Sequence, residues 1–473
     1  MTIRIGGGAG FLGDNLDAPR ELAERGELNY LTLEYLAELT LSILARQKEK
    51  DPTKGFAADL IPVTESLVPI FQQQTDLRLI SNGGGMNPAA AAQAVAAVIA
   101  PSLPQKKIAV VTGDDLYPHL ENFLKQGNRF EHFETGEPLV EALFRKELLP
   151  KRVEQSSDRL GDCLLPVVSA NAYLGAEPIC KSLGEGAEIV LTGRGSDAAL
   201  TVGPALHEFG WSLTDYDKIA AATVAGHLIE CGAQATGAYT TSWQNVDLAE
   251  VGYPIAQLDA AGALVLTKPE GTGGVVNRRT VIEQLVYEIG DPSLYFTPDV
   301  TVDFTTINVD EIGPDRVALT GLTGSSPPET YKVSLAYRNG FTTSSQLLVY
   351  GSDCIDKARA CSEIVFDRLA KIGLKYDRKN VELLGLGQGV VGVNEATSAN
   401  EVVLRISVAD KSRDKVVRFT QEIAPLITSG PAGLAGYAVA RSPVRPVFAY
   451  WPTTISRELL SSEVVVKPAA SWR

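Results

Sequence analysis

The chain has 473 residues, of which 45% are hydrophobic and 21% are charged. This length exceeds what one hydrophobic core usually organises, so we expect two domains of ordinary globular composition. The formal charge of -14 excludes a general affinity for nucleic acids or anionic membranes, because binding to those surfaces requires clustered Lys and Arg.

The cysteines and the apolar segments indicate the compartment. The five cysteines are scattered and contain no C-x-x-C pair, which argues against a disulfide framework or a zinc cluster: Cys163, Cys180, Cys231, Cys354 and Cys361. The longest apolar stretch, residues 89–100, is too short to span a bilayer, and a glycine-rich loop follows Met1 too closely for a signal peptide. We therefore expect a cytoplasmic protein.

The first glycine-rich loop, GGGAGFLGDNL at residues 6–16, fits the dinucleotide-binding pattern G-x-G-x-x-G at Gly8, Gly10 and Gly13. Glu34 lies about twenty residues further on, where a ribose-binding acid is expected. However, no Tyr is followed by Lys four positions later, as short-chain epimerases require, and the apolar spacing after Glu34 predicts a continuing helix. Two other interpretations stay open, a tight turn with close backbone packing and a site for a non-nucleotide anion.

The first half of the chain repeats one pattern, in which a short apolar run leads through a polar or glycine-rich loop into a helix. Residues 78–80 lead into SNGGGMNP, where Asn87 can cap a helix and Pro88 can be its first residue; later examples follow residues 108–115, 164–171 and 188–197. This alternation predicts α/β structure with a parallel sheet flanked by helices. The ligand site is then expected beyond the carboxyl ends of the strands.

The pattern changes near residue 301, where strands and hairpins begin. Arg338-Asn339-Gly340 is a turn signal between YKVSLAY and FTTSSQLLVYG, and a helical pattern covers residues 354–372. We therefore predict an α/β domain at residues 1–310, which carries the glycine-rich loops and the active site, and a C-terminal α+β domain at residues 311–473.

Candidate substrate-binding residues lie in the strand-end loops. Asn82 with Gly83, Gly84 and Gly85 precedes a helix N-terminus, and such a loop either binds an anion or makes only a tight turn. Arg194, between two glycines in TGRGSD, is a planar donor suited to a carboxylate. Lys268 in TKPEGTGG and Asn171 in SANAY are further candidates, and a solvated turn is the alternative for Lys268.

Candidate acid–base residues surround the segment AGHLIECG. His227 and Glu230 lie three residues apart on one helical face, where Glu230 can orient the imidazole or both can bind a metal. His207 is a second candidate histidine, and each can also be a hydrogen-bonded structural residue. Cys231 is a nucleophile only if its pKa is lowered, and is otherwise a buried thiol.

Three acidic positions complete the candidates. Asp197 either caps a helix or acts as a base, and Glu270 is a general base or part of a solvated turn. Asp114 and Asp115 suit a divalent cation or, preferably, a helix cap.

Many motifs in order resemble one known family. They are IGGGAGFLGD, LTLEYLAELTL, SNGGGMNP, LTGRGSDAAL, HEFGW, GHLIECGAQATGAY, TKPEGTGGVV, QLVYEIGDPSLYFTPDV and YKVSLAYRNGF. Together they resemble the acyclic terpene utilisation (AtuA-like) protein family from Met1 to about residue 450. The resemblance implies a place in the degradation of citronellol- and geraniol-type compounds, a route through acyl-CoA carboxylates that includes carboxylation, hydration and carbon–carbon cleavage. Some longer relatives carry a small extra module, whose function we expect here from a separate small partner protein.

The motifs and the resemblance together predict a lyase without a redox cofactor, either a hydratase/dehydratase or a carbon–carbon lyase, acting on a small carboxylate or acyl-CoA. Arg194, Lys268 and the Asn82–Gly85 loop would hold the carboxylate or an enolate oxyanion, while His227, Glu230 or Asp197 would move the proton. The alternatives are thioester or amide hydrolysis through Cys231, and a non-catalytic subunit or binding module of a carboxylase-type complex. We assign no metal ligands, keep a divalent cation as a minor alternative, and expect a homo-oligomer.

Overall fold

The chain forms two compact units. A computed structural model describes residues 1–149, 166–387, 392, 396–436 and 441–472, and Cys163 lies outside this set. One unit comprises Met1–Ala336 with Tyr450–Arg473, and the other comprises Tyr337–Ala449. The predicted boundary at residue 310 falls inside the first unit. The last residues return to that unit because strand Glu463–Pro468 pairs with strand Lys107–Thr112 of its main sheet.

The main sheet of the first unit has ten strands in the described residues. Their order is Asn308–Gly313, Arg316–Thr320, Leu264–Thr267, Ile255–Asp259, Thr2–Ala9, Tyr30–Leu33, Arg78–Ser81, Ile189–Thr192, Lys107–Thr112 and Glu463–Pro468. The five strands from Thr2–Ala9 to Lys107–Thr112 are parallel, as predicted, whereas the four strands at one edge and the single strand at the other pair antiparallel. The sheet is therefore mixed, and the prediction of a parallel sheet is correct only for its centre.

Burial on both faces explains the apolar central strands. Every residue of Tyr30–Leu33 and of Ile189–Thr192 is buried. Neighbouring residues of one strand pack into different hydrophobic clusters, Tyr30 into one and Leu31 into the other, since successive side chains point to opposite faces. Within the described residues, the α-helices of this unit are Ala18–Arg25, Glu38–Lys50, Leu60–Gln73, Pro88–Ile99, Leu120–Lys125, Leu139–Arg145, Glu177–Gly184, Ala199–Phe209, Tyr216–Ile229 and Arg278–Leu285. Its shorter strands are Val167–Ala172, Tyr295–Phe296, Thr301–Asp303 and Thr323–Ser325.

Two local expectations have opposite outcomes. The helix Pro88–Ile99 begins as predicted, because the Asn87 side chain accepts a hydrogen bond from the backbone of Ala90. The expected continuous helix through Glu34 is wrong, because Tyr30–Leu33 is a strand paired on both sides and the next helix begins at Glu38. Glu34 therefore lies at the end of a central strand.

The glycines of the first loop allow close backbone packing. A Cβ on Gly7 would lie 2.1 Å from the carbonyl oxygen of Ile229, and one on Gly10 would lie 2.7 Å from the carbonyl carbon of Cys231. The strand Thr2–Ala9 and the loop after it therefore press against the end of helix Tyr216–Ile229 more closely than any side chain would allow. This contact supports the packing interpretation of the glycine-rich loop.

The second unit is an antiparallel sheet with helices, which agrees with the predicted α+β character. Its strands follow the order Arg378–Leu384, Glu401–Asp410, Thr330–Tyr350 and Leu434–Gly436, and strand Arg445–Ser456 also pairs with Thr330–Tyr350. Its helices are Cys354–Lys371, Arg413–Thr420 and Leu426–Ser429.

The predicted hairpin turn at residues 338–340 is wrong. Thr330–Tyr350 is one continuous strand, and its residues from Phe341 to Tyr350 pair without interruption with Glu401–Asp410. Gly340 has φ +85°, and a Cβ there would lie 2.7 Å from the carbonyl oxygen of Asp410. The glycine thus allows a local irregularity in the strand and a close approach to the neighbouring backbone. It does not reverse the chain.

A search of the described residues for a helix long and apolar enough to cross a membrane found none.

Candidate functional site

Two adjoining cavities of the first unit lie at the carboxyl ends of the parallel strands. Their volumes are about 370 and about 510 Å³, and they share the residues Glu38, Arg194, Asp197, Glu230 and Glu288. Arg194 follows strand Ile189–Thr192, and Glu34, which lines the larger cavity, follows strand Tyr30–Leu33. The site therefore occupies the crevice that the strand–loop–helix pattern predicts.

Arg194 is a buried cation at the centre of this site. Its Nη1 donates to the carbonyl oxygen of Leu36 at 2.5 Å and to Oδ1 of Asp197 at 2.8 Å, and lies 3.7 Å from Oε1 of Glu34. Its backbone N–H donates to the buried carboxylate of Asp114 at 2.8 Å. Its Nε is buried and has no hydrogen-bond partner among the described residues. An unsatisfied buried donor is costly, so this guanidinium is suited to an added acceptor.

The ring of Tyr173 contacts two cations, an arrangement that the sequence did not predict. Its ring centre is 4.2 Å from Cζ of Arg194 and 4.6 Å from Nζ of Lys332. Its hydroxyl donates to Oε1 of Glu38 at 2.9 Å, and Nζ of Lys332 approaches the same oxygen at 3.2 Å. Burial would raise the pKa of Glu38, but the charge of Lys332 and hydrogen bonds lower it to about 2. Glu38 is therefore ionised.

His227 and Glu230 form a buried pair at the C-terminal end of helix Tyr216–Ile229. Nε2 of His227 lies 2.9 Å from the carbonyl oxygen of Gln284, which can only accept, so Nε2 carries a proton. Nδ1 lies 3.0 Å from Oε1 of Glu230, and this bond requires one further proton between the two side chains. Gln284 also donates from its side chain to the carbonyl oxygen of His227. The imidazole is thus fixed, and the pair holds one proton.

The pKa values of this pair reflect burial and mutual contact. Burial alone would lower the pKa of His227, but the hydrogen bond and charge of Glu230 outweigh it and raise that pKa. Burial raises the pKa of Glu230 against the opposing contact with His227, and the charges of Asp197 and Glu288 add to the increase. Glu230 lines both cavities, whereas both ring nitrogens of His227 are engaged within the protein. Glu230 is therefore the member of the pair that can exchange a proton with a ligand.

Cys231 lacks the environment of a nucleophile. It directly follows the end of helix Tyr216–Ile229 and Glu230, so the negative end of a helix and a carboxylate are adjacent. Burial raises the pKa of its thiol to about 12, and both nitrogens of His227 are engaged elsewhere. The thiolate that the hydrolase alternative requires is disfavoured.

Asn82 supports Glu34 and does not line either cavity. Its Oδ1 accepts from the backbone of Tyr35 at 2.9 Å, which directs its Nδ2 to a carboxylate oxygen of Glu34. Burial, with the charge of Asp197, raises the pKa of Glu34 well above its usual range against the opposing charge of Arg194. The sequence interpretation, which linked Glu34 only to a ribose contact, missed this role.

The glycines that follow Asn82 are packed against protein. A Cβ on Gly83 would lie 2.7 Å from Leu60, one on Gly84 would lie 2.5 Å from the carbonyl oxygen of Thr192, and one on Gly85 would lie 2.5 Å from Leu44. None of these three lines either of the two cavities. Their placement fits the turn interpretation.

Lys268 and Glu270 also lie outside both cavities. Nζ of Lys268 is buried, donates to the carbonyl oxygen of Thr272 at 2.9 Å and pairs with Asp315 at 3.1 Å. Glu270 is exposed, and its backbone carbonyl accepts from Arg25 at 2.8 Å. The structure therefore separates these two residues from Arg194.

The remaining candidates have structural contacts. Asn171 donates to Oδ2 of Asp114 at 2.8 Å, and burial raises the pKa of Asp114 to about 6. Oδ1 of Asp115 accepts from the backbone of Tyr117 at 3.1 Å, but Leu116 is the N-cap of the short helix Tyr117–His119, so Asp115 makes a local turn contact and is not the predicted cap. His207 lies on the last turn of helix Ala199–Phe209 and lines neither cavity.

Two carboxylates at the first glycine-rich loop argue against dinucleotide binding there. The N–H of Gly10 donates to Oδ2 of Asp14 at 2.8 Å, and the N–H of Gly13 donates to Oδ2 of Asp59 at 2.7 Å. These N–H groups would have to bind a pyrophosphate in the dinucleotide interpretation. Two carboxylates already use them and would repel the phosphates.

The described part of the chain contains no group of three or more His, Cys, Asp or Glu arranged to hold a metal ion. Both nitrogens of His227 are occupied, so the H-x-x-E spacing serves a proton-sharing pair in this structure.

The open side of the smaller cavity is apolar and aromatic. Phe133 and Phe296, 63% and 60% exposed, line it together with Tyr295, Pro298 and Pro328. The same cavity is also lined by the buried side chains of Arg194 and Tyr173, by Glu230 and by the exposed Lys332. A ligand with a hydrocarbon part and a polar reacting group fits this division.

Comparison with known proteins gives one match. Residues 3–466 match the family model described as "Acyclic terpene utilisation family protein AtuA". No curated protein and no solved structure matches the chain. The match covers nearly the whole chain and agrees with the motifs quoted above. The chain therefore belongs to the acyclic terpene utilisation family, which implies a role in acyclic terpene utilisation.

Proposed function

We propose that this protein is a lyase that adds water to, or removes water from, a small acyl compound by acid–base chemistry without a redox cofactor. The observation that carries the proposal is the buried hydrogen bond between His227 and Glu230, since Glu230 lines both cavities. A buried carboxylic acid with a raised pKa is suited to donate a proton near neutral pH.

The other residues of the site complete the reaction. Arg194 and Lys332, which both lie close to the ring of Tyr173, would bind the acyl oxygen and stabilise the negative charge that develops there. In hydration, the oxygen of water bonds to one carbon of a double bond and Glu230 delivers a proton to the other. Asp197 takes the proton that the water loses, and exchange returns it to Glu230. The substrate gains one H₂O, and the protein is unchanged.

The environment of Glu230 supports its role as the acid. The pKa of Glu38 is lowered to about 2, whereas the pKa of Glu230 is raised, although both carboxyl groups line the same cavities. Paired carboxyl groups whose pKa values are driven apart are typical of acid–base sites. Carbon–carbon cleavage would use the same groups, whereas hydrolysis through Cys231 lacks a thiolate.

The test is mass spectrometry of enoyl- and hydroxyacyl-thioesters incubated with the purified protein, which should show a gain or loss of one water. Glu230→Gln keeps the size of the side chain but cannot supply the acidic proton, and should lower turnover by about 10²–10⁴-fold. Glu270→Gln, which removes the same charge outside the cavities, should retain turnover. Equal turnover in both variants would contradict the proposal, and inactivity of the wild type towards every thioester would favour a non-catalytic subunit.

A further inference from the structure

The cations of the site are already paired with protein carboxylates. Arg194 contacts Asp197 at 2.8 Å and Glu34 at 3.7 Å, and Lys332 contacts Glu38 at 3.2 Å. Three further acidic residues line the cavities outside these ion pairs. Glu230 and Glu288 line both cavities, and Asp14 lines the larger one. Together the two cavities contain six carboxyl groups and two cationic side chains, Arg194 and Lys332. Carboxylates still outnumber these cations when Glu34 and Glu230, whose pKa values are raised, hold protons.

This balance of charge disfavours an added anion. A free carboxylate bound by Lys332 would lie close to Glu38, which already contacts Lys332 and accepts from Tyr173. It would leave Glu38 without its partners or place two carboxylates side by side, and like charges a few ångströms apart repel strongly in a partly buried site.

The site still offers a donor to an uncharged oxygen. Arg194 lines both cavities, and its guanidinium retains an N–H group that makes no hydrogen bond among the described residues. A neutral carbonyl oxygen gains from a cationic donor and adds no negative charge to the carboxylates around it.

We infer that this site selects an uncharged acyl group, such as a thioester, ester or amide, and discriminates against the corresponding free carboxylate. This inference rests on the proposed function and narrows its substrate to uncharged acyl derivatives such as thioesters, as opposed to free acids. Glu38 is the specificity-determining residue, because its carboxylate lies against Lys332 and Tyr173 and would repel an anionic substrate bound there.

The test compares two ligands of equal shape, 3-methylbut-2-enoic acid and its primary amide, by calorimetric titration of the intact protein near neutral pH. The wild type should bind the amide at least about tenfold more tightly than the acid, since one charged contact changes affinity on this scale. In Glu38→Gln, the affinity for the acid should rise by at least about fivefold while that for the amide changes less than twofold.

Glu270→Gln is the matched control, because it removes an equal charge outside both cavities and should change neither affinity. If circular dichroism shows that Glu38→Gln does not fold, Glu288→Gln should shift the preference in the same direction, since Glu288 is exposed and lines both cavities. Tighter binding of the acid by the wild type, no detectable binding of either ligand, or equal effects of the cavity variant and the control would each overturn the inference. Because binding is measured without turnover, these outcomes are distinct from a failure of the lyase activity.

Discussion

Glu230 and His227 share one proton in a buried contact of 3.0 Å between Oε1 and Nδ1. The carbonyl oxygen of Gln284 holds the opposite nitrogen of the ring and thereby fixes which nitrogen faces Glu230. His227 therefore acts as a positioning residue that keeps a proton on the pair, and Glu230 presents that proton to the cavities.

This pair should make stability depend on pH. The pKa values of both groups are raised in the folded chain, so the folded state binds the proton more tightly than the unfolded state. The stabilisation is fully present below the unfolded pKa values and is lost as pH rises through the folded ones. For His227 the loss begins above the ordinary histidine pKa of 6.5. The wild-type midpoint temperature should therefore decrease more between pH 6.5 and about 8.5 than that of His227→Gln.

The control for this measurement is His207→Gln. His207 is half-buried, and burial, with the charge of Arg78, lowers its pKa, so its removal should not flatten the decrease. If His227→Gln shows the same pH slope as the wild type, no proton is held by the pair in the way the geometry indicates.

Cys231 should be dispensable. With its pKa raised to about 12, the fraction of thiolate at neutral pH is on the order of 10⁻⁵, far below that of an ordinary cysteine. Cys231→Ala should retain more than about half of the turnover, since no step requires the sulfur. Iodoacetamide should leave Cys231 unmodified in the folded protein and modify it in urea, as peptide mass spectrometry can show. Loss of turnover together with rapid alkylation would restore the hydrolase alternative.

Local sequence order explains which site residues could be predicted. Arg194 and Asp197 lie in one short loop between a buried strand and a helix, so TGRGSD alone places them at a strand end. Lys332 and Glu38 contact each other across 294 residues, and no pattern in either segment signals that pair. The parallel strands at the centre of the sheet could likewise be predicted, because they follow from repeated strand–loop–helix segments. The antiparallel edge strands could not, because they depend on pairing between distant segments.

The order of the strands explains why Lys268 lies outside the two cavities. Its strand, Leu264–Thr267, runs in the same direction as Thr2–Ala9, but the antiparallel strand Ile255–Asp259 lies between them. Two strand spacings correspond to about 10 Å, which moves Lys268 sideways from the cavities. The sequence pattern does not give the order of strands in a sheet. A glycine-rich loop after a strand was therefore not enough to place Lys268 in the same site as Arg194.

Lys268→Met should affect stability without changing substrate binding. The substitution leaves Asp315 and the carbonyl oxygen of Thr272 without the ammonium that contacts them at 3.1 and 2.9 Å. We expect a loss of about 1–3 kcal/mol in the free energy of unfolding, because polar groups near a buried position lose their partner. KM in the water-addition assay should remain unchanged. A raised KM with unchanged stability would place Lys268 in the site after all.

Gly7→Ala tests the contact that supports the His227 helix. The added Cβ would lie 2.1 Å from the carbonyl oxygen of Ile229, a backbone atom that cannot move without shifting the helix end before Glu230. Urea unfolding should show a loss of about 1–3 kcal/mol, the usual cost of forcing extra volume into a packed core. Gly184→Ala, where a Cβ meets nothing within 4 Å, is the control and should be neutral or stabilising. Turnover should also decrease in Gly7→Ala, because a shifted helix end changes the distance between Nδ1 of His227 and Oε1 of Glu230. Unchanged stability and turnover would show that this backbone contact does not constrain the site.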